Sequence, residues 1–110
     1  QKFDPDIIFA SPFPRAQETA RIVAIHLSIG VVECDRIVPS GDCQEVCGLL
    51  EEYNNSIDGT SKVLIVSHQP FVSLFIQYLT GAQIFMNTAS LSMIQVESFY
   101  PGCGTLLWTE

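Results

Sequence analysis

The chain has little positive charge. Five lysines and arginines stand against twelve aspartates and glutamates, which gives a formal net charge of −7. Too few cations are present to neutralise the phosphates of a nucleic acid or an anionic membrane, so we expect neither as a partner. A site for an anion must be local and must draw on one or two of the five cations, which are Lys2, Arg15, Arg21, Arg36 and Lys62.

Long apolar runs are also absent. No run approaches the roughly 18 residues that a membrane-spanning helix needs, and the start shows no basic segment followed by an apolar stretch. We therefore expect a cytoplasmic protein. A length of 110 residues with 47% hydrophobic content predicts one compact domain over residues 1–110.

The four cysteines form no recognisable framework. Cys43 and Cys47 are four residues apart, but neither a CxxC motif nor paired histidines accompany them. This spacing does not indicate a zinc site, and we expect no metal. We expect reduced and mostly buried thiols.

Two short apolar runs stand out, at residues 6–10 and 63–66. Consecutive apolar residues are typical of strands that are buried on both faces, and the second run predicts a strand in the middle of a parallel sheet. Each run ends at polar residues, Ser11 in the first case and Ser67 with His68 in the second, and a helical pattern follows. Ligands of such sheets bind at the carboxyl ends of the strands, where the helix amino termini carry partial positive charge.

Apolar residues at helical spacing predict three helices. The first covers residues 13–29 and is closed by Gly30 in the left-handed conformation. The second covers residues 43–54, with Asp42 and Glu45 as a capping box, and the third ends at Thr80 and Gly81.

Short strands are predicted at residues 31–34, 90–96 and 105–108. The first would lie at an edge of the sheet. The last two flank a turn rich in glycine and proline, which favours an antiparallel pair. The order of elements predicts an α/β fold: a three-layer α/β/α sandwich with a mostly parallel sheet and an antiparallel edge at the carboxyl terminus.

The two junctions between strand and helix carry groups that bind phosphate. Arg15 offers a planar fork of donors for phosphate oxygens, and His68 can donate a hydrogen bond and, when protonated, offset negative charge. In a parallel sheet both junctions lie at one edge, so we predict a phosphate site there without a metal or a cofactor. The alternative is that Arg15 pairs with Glu18 and that His68 caps a helix.

Four blocks of sequence, in this order, resemble the histidine phosphatase superfamily, and most closely its SixA-type phosphohistidine phosphatase branch. They are SPFPRAQETA at 11–20, PSGD at 39–42, VLIVSHQP at 63–70 and MNTASL at 86–91. The resemblance implies that Arg15 binds phosphate and that His68 is the second active-site histidine. Ser11 and Thr19 belong to the motif and would have supporting roles, with Ser11 in the phosphate site. No cofactor is implied.

One departure from the family is serious. The nucleophile of these enzymes is a histidine in an Arg-His-Gly triplet after the first strand, and no such triplet occurs here. The other histidine, His26, falls inside the first helix, away from both junctions. We therefore expect that a leading strand and helix, about 30 residues or more, is missing from this sequence.

The resemblance also implies an activity. The complete enzyme would move a phosphoryl group to its nucleophilic histidine and then hydrolyse this intermediate. The connection between the second helix and the following strand is short and leaves no room for a large lid. This favours a phosphohistidine-bearing protein, such as a phosphotransfer domain, as the partner. A small-molecule phosphatase or mutase and a non-catalytic phosphate-binding module remain the alternatives.

Overall fold

A parallel sheet of three strands separates the helices of this protein. The computed structural model describes residues 4–56, 62–86 and 92–109. The elements, in chain order, are β1 (Ile7–Ala10), α1 (Pro14–Leu27), β2 (Val31–Glu33), α2 (Cys43–Asn55), β3 (Val63–Val66), α3 (Phe71–Thr80), β4 (Ser92–Val96) and β5 (Gly104–Thr109).

The strand order in this sheet is β2-β1-β3, with both pairings parallel. Ala10 at the end of β1 is opposite Glu33 of β2 and Val66 of β3. The middle strand is therefore β1, and the prediction that residues 63–66 form the middle strand is wrong for the described part of the chain. An apolar run indicates that both faces of a strand contact apolar groups. This also holds for β3, an outer strand of the described sheet, whose four residues are all half-buried.

Helices cover both faces of the sheet. On one face, Ile8 and Ala10 pack against Ala20 of α1. On the other face, Phe9 packs in a larger core with residues of α2 and α3, among them Leu50 and Phe75. Strands β4 and β5 form an antiparallel pair, which is a sheet of its own among the described residues and contacts α3. The predicted α/β sandwich with a mostly parallel sheet and an antiparallel carboxyl-terminal pair is confirmed.

The end of α1 differs from its prediction. Ser28, at φ 56° and ψ 45°, adopts the left-handed conformation, and its N–H donates to the carbonyl oxygen of Ala24. Gly30, predicted to close this helix, leads instead into β2, and its carbonyl oxygen accepts from the Ile8 N–H. The left-handed residue at the end of α3 is Gly81, as predicted, at φ 80°.

Asp42 caps the amino terminus of α2 and forms the first half of the predicted capping box. The Oδ1 atom of Asp42 accepts hydrogen bonds from the N–H groups of Gln44 at 2.8 Å and Glu45 at 3.3 Å. These bonds satisfy two of the amides that the first turn of a helix leaves unpaired. The loop predicted after α2 falls largely on residues 57–61, and the start of the predicted strand 90–96 falls on residues 90 and 91. Both segments lie outside the described residues.

All four cysteines are free thiols. Cys34 and Cys47 are buried, Cys43 is half-buried and Cys103 is exposed. Burial, followed by the charges of Cys43 and Glu51, raises the pKa of Cys47 to about 11. Burial, and then the Asp42 carboxylate, raises the pKa of Cys43.

No helix in the described ranges is both long enough and apolar enough to cross a bilayer.

The turn before α2 has room for glycine alone at position 41. A Cβ atom on Gly41 would collide with the carbonyl oxygen of Arg36 and would lie 3.0 Å from that of Val38. We expect Gly41→Ala to lower the free energy of unfolding by about 2–3 kcal/mol, because backbone must move to admit the methyl group. Denaturant unfolding measures this change.

The matched control is Gly48→Ala, since no atom beyond the neighbouring backbone of its own helix lies within 4 Å of the added methyl group. Gly48 lies within α2, where alanine is the better helix former, so this variant should gain about 0.5–1 kcal/mol. Equal effects of the two substitutions would contradict the close approach at Gly41.

The thiols should differ widely in their rate of alkylation. At pH 8, roughly one Cys47 side chain in a thousand is a thiolate, because the pKa is about 11 and only the thiolate reacts. We expect iodoacetamide to label the exposed Cys103 first and Cys47 far more slowly, as read by peptide mass spectrometry. In denaturant this order should disappear, and rapid labelling of Cys47 in the native protein would contradict the burial.

Candidate functional site

Two polar residues meet at the carboxyl ends of β1 and β3. The backbone N–H of Ser11 donates to the carbonyl oxygen of Val66 at 2.9 Å, which extends the parallel pairing by one residue. Beyond this bond, Ser11 Oγ and His68 Nε2 lie 3.1 Å apart, within hydrogen-bond distance. The structure thus joins the two predicted junctions through Ser11 and His68.

The side chain of Ser11 is fully buried and well bonded. Its Oγ accepts from the Phe13 N–H at 3.3 Å, and its carbonyl oxygen accepts from Gln17 Nε2 at 2.8 Å. A hydroxyl can both donate and accept, so Ser11 can bond either to a neutral or to a protonated imidazole. The contact therefore orients the ring of His68 without fixing its charge.

A second group holds the ring of His68. The ring of Phe13 packs against it at a centroid distance of 5.0 Å and an interplanar angle of 44°. The carbonyl oxygen of His68 accepts from the N–H of Val72 in the first turn of α3. His68 is half-buried, so part of its surface stays open to a ligand.

The loop that follows β2 is tied to the same edge. The N–H of Cys34 donates to the carbonyl oxygen of Ala10 at 2.8 Å, and the hydroxyl of Ser67 donates to the carbonyl oxygen of Ile37. Ile37 is buried in the core, so this loop has a fixed anchor. The loops after all three parallel strands are therefore connected to one another.

Gln69 has a role that the sequence analysis missed. Its Nε2 donates to the carbonyl oxygen of Met86 at 2.8 Å and to Ser73 Oγ at 2.6 Å. Its Oε1 accepts from the N–H of Ser73, and Ser73 Oγ accepts from the N–H of Met86. These bonds fasten the segment after α3 next to His68. The signal was a polar side chain just before a helix start: Gln69 precedes α3, and its Oε1 accepts from the Ser73 N–H, one of the amides that the first turn leaves unpaired.

The fourth sequence block, at 86–91, is described only at Met86, and residues 87–91 lie outside the described part. The contact of Gln69 with Met86 shows that this block begins beside the end of β3.

The other predicted residues lie on α1. Arg15 is the second residue of this helix and is exposed. Its guanidinium forms no hydrogen bond or ion pair with Glu18 or with any other described residue. Convergence of its guanidinium with the imidazole of His68 stays a prediction. Thr19 is exposed in the middle of the helix. His26 is exposed in the last turn, far along the helix from Ser11, as expected.

The charges around this edge suit an anion. Helices α1 and α3 both begin here, and neither has an acidic residue in its first turn. The partial positive charge of each helix amino terminus is therefore not offset locally. Within the described ranges, no three histidine, cysteine, aspartate or glutamate side chains are grouped as metal ligands. An imidazole and two helix amino termini can bind a tetrahedral oxyanion, and the buried hydroxyl of Ser11 orients the imidazole.

The fold is similar to that of a solved phosphatase structure. A solved structure of the protein histidine phosphatase SixA complexed with tungstate matches 99% of this chain and 70% of its own, with a TM-score of 0.85 and 26% sequence identity. No family model and no curated protein matches the chain. The structural similarity supports a histidine phosphatase-like fold and a phosphatase-type function.

Removing the hydroxyl of Ser11 should alter His68 and leave His26 unchanged. In Ser11→Ala, Nε2 loses its partner at 3.1 Å, and we expect the ¹⁵N and ring ¹H chemical shifts of His68 to move. NMR spectra of both histidine rings at one fixed pH measure this. His26 is the internal control, and an unchanged His68 signal would contradict the contact.

Proposed function

We propose that this chain is the phosphate-binding part of a phosphohistidine phosphatase. The observation that carries the proposal is the pairing of Ser11 with His68 at the sheet edge, in a fold similar to that of a protein histidine phosphatase. That relative holds tungstate, a tetrahedral oxyanion of the same shape and charge as phosphate.

Each residue of the site has a separate task in this proposal. His68 donates a hydrogen bond to an oxygen of the transferring phosphoryl group and, when protonated, stabilises its negative charge. Arg15, in the first turn of α1, turns its guanidinium toward two further oxygens. Ser11 orients the imidazole and is a positioning residue.

The mechanism also needs a nucleophilic histidine, and none of Ser11, Arg15 and His68 has that task. Among the described strands, β3 pairs only with β1, so its other edge is open. A parallel strand that ends in Arg-His-Gly would pair along this edge and would finish beside His68, because parallel strands end together. We propose that the natural coding sequence upstream of Gln1 contains this strand.

The reaction then has two steps. The nitrogen of the nucleophilic histidine attacks phosphorus, a new N–P bond forms, and the N–P bond of the substrate breaks, releasing its imidazole. Water attacks the enzyme-bound phosphoryl group next, which releases inorganic phosphate and restores the nucleophile. Dividing the transfer lowers each barrier, and His68 with Arg15 stabilises the phosphoryl oxygens in both steps.

The substrate we propose is phosphohistidine on a partner protein. An imidazole leaves phosphorus more readily than a sugar alkoxide does, so a strong general acid is not required. His68 is half-buried at the carboxyl end of β3, where the surface of a partner protein can approach it.

The test compares rates of hydrolysis by the full natural chain. We expect faster release of phosphate from a phosphohistidine protein than from sugar phosphates. Arg15→Ala and His68→Ala should each lower kcat/KM at least about 100-fold, the usual cost of removing a donor to a developing charge. Arg21→Ala and His26→Ala, which change exposed residues farther along α1, are the matched controls and should change it less than about twofold.

Three outcomes would overturn the proposal. Faster turnover of sugar phosphates would assign a small-molecule phosphatase or mutase. Binding of tungstate that depends on Arg15 and His68 without any turnover would assign a non-catalytic module. A natural gene without an Arg-His-Gly triplet upstream would remove the nucleophile and with it this mechanism.

A further inference from the structure

A groove lies on the face of the sheet that α2 only partly covers. Its volume is about 560 Å³, and its apolar floor includes Phe9, Val32 and Tyr53. Phe9 and Tyr53 pack edge to face with ring centroids 5.5 Å apart, so this part of the floor is ordered. Val32 is 41% exposed beside them. An apolar side chain of a ligand would find a complementary surface here.

The rim of the groove is acidic. Asp35 and Glu52 line it together with one cation, Arg36, and the backbone of Glu33 borders it. Two carboxylates against one guanidinium favour a cationic ligand. A second copy of this chain is a poor occupant, because its net charge of −7 would be repelled.

The groove borders an open strand edge. β2 is an outer strand of its sheet in the described part of the chain. The Gly30 carbonyl oxygen accepts from Ile8 and the Cys34 N–H donates to Ala10, so the even-numbered backbone groups face β1. By alternation, the N–H and C=O groups of Val31 and Glu33 face away from β1 and can pair with an added strand.

We propose that this groove binds an extended, basic segment of a partner protein. The segment pairs with the open edge of β2 at Val31 and Glu33, seats an apolar side chain against Phe9, Val32 and Tyr53, and brings lysine or arginine to Asp35 and Glu52. Main-chain hydrogen bonds supply affinity in this mode of recognition, and the alternate side chains supply specificity. The proposal does not depend on the proposed phosphatase activity.

The probes are three fluorescein-labelled hexapeptides, titrated with the full natural chain and followed by fluorescence anisotropy. One alternates lysine with leucine, one lysine with serine, and one glutamate with leucine. We expect the lysine–leucine peptide to bind at least about tenfold more tightly than either of the others, because only it matches both the apolar floor and the acidic rim.

Two pairs of variants locate the binding. Glu52→Lys should weaken binding of the lysine–leucine peptide about fivefold, whereas Glu51→Lys, an equal charge change at an exposed neighbour outside the groove, should not. Glu33→Pro removes the outward N–H as well as the charge, so it should bind at least about fivefold more weakly than Glu33→Gln, which removes the charge alone. Thermal unfolding checks that each variant is folded.

Equal binding of all three peptides would overturn the proposal, as would equal effects of Glu52→Lys and Glu51→Lys. So would absence of binding at millimolar peptide, which would show that another part of the natural chain covers the groove. If Glu33→Pro and Glu33→Gln bind equally, the segment does not pair with β2.

Discussion

The parallel register of β1 and β3 is the constraint on which the site depends. Ala10 and Val66 are opposite each other at the ends of these strands, and the next residue of β1, Ser11, donates its N–H to Val66. Two residues after Val66, the ring of His68 returns to this point, and its Nε2 lies 3.1 Å from Ser11 Oγ. A shift by one residue would turn these side chains to opposite faces and separate them.

Hydrogen bonds between the loops hold this edge together. Ser67 connects β3 to the loop after β2 through Ile37, and Gln69 connects the start of α3 to Met86. A site that is held by its own neighbours loses less entropy when an anion binds. The two open strand edges serve different purposes in our proposals: the edge of β3 receives the strand that carries the nucleophile, and the edge of β2 receives a partner.

Much of the local structure was predictable because it depends on neighbouring residues. The cap of α2 requires Asp42 and the two amides that follow it, and the end of α3 requires Gly81. The end of α1 was predicted wrongly because Ser28 takes the left-handed conformation although serine rarely does. Among the described strands β3 is an outer strand and not the middle one, since an apolar run shows what a strand contacts and not how many strands flank it.

By itself, the sequence determined the fold class and the helices, because the spacing of apolar residues depends on short stretches of chain. It predicted phosphate-binding residues only from their side-chain chemistry. Only the tertiary structure decided that Ser11 contacts His68, that Gln69 reaches Met86, and that the rim beside β2 is acidic. Each of these features combines residues from different elements. Strand order and strand register bring those residues together, and no local sequence pattern encodes the order or the register.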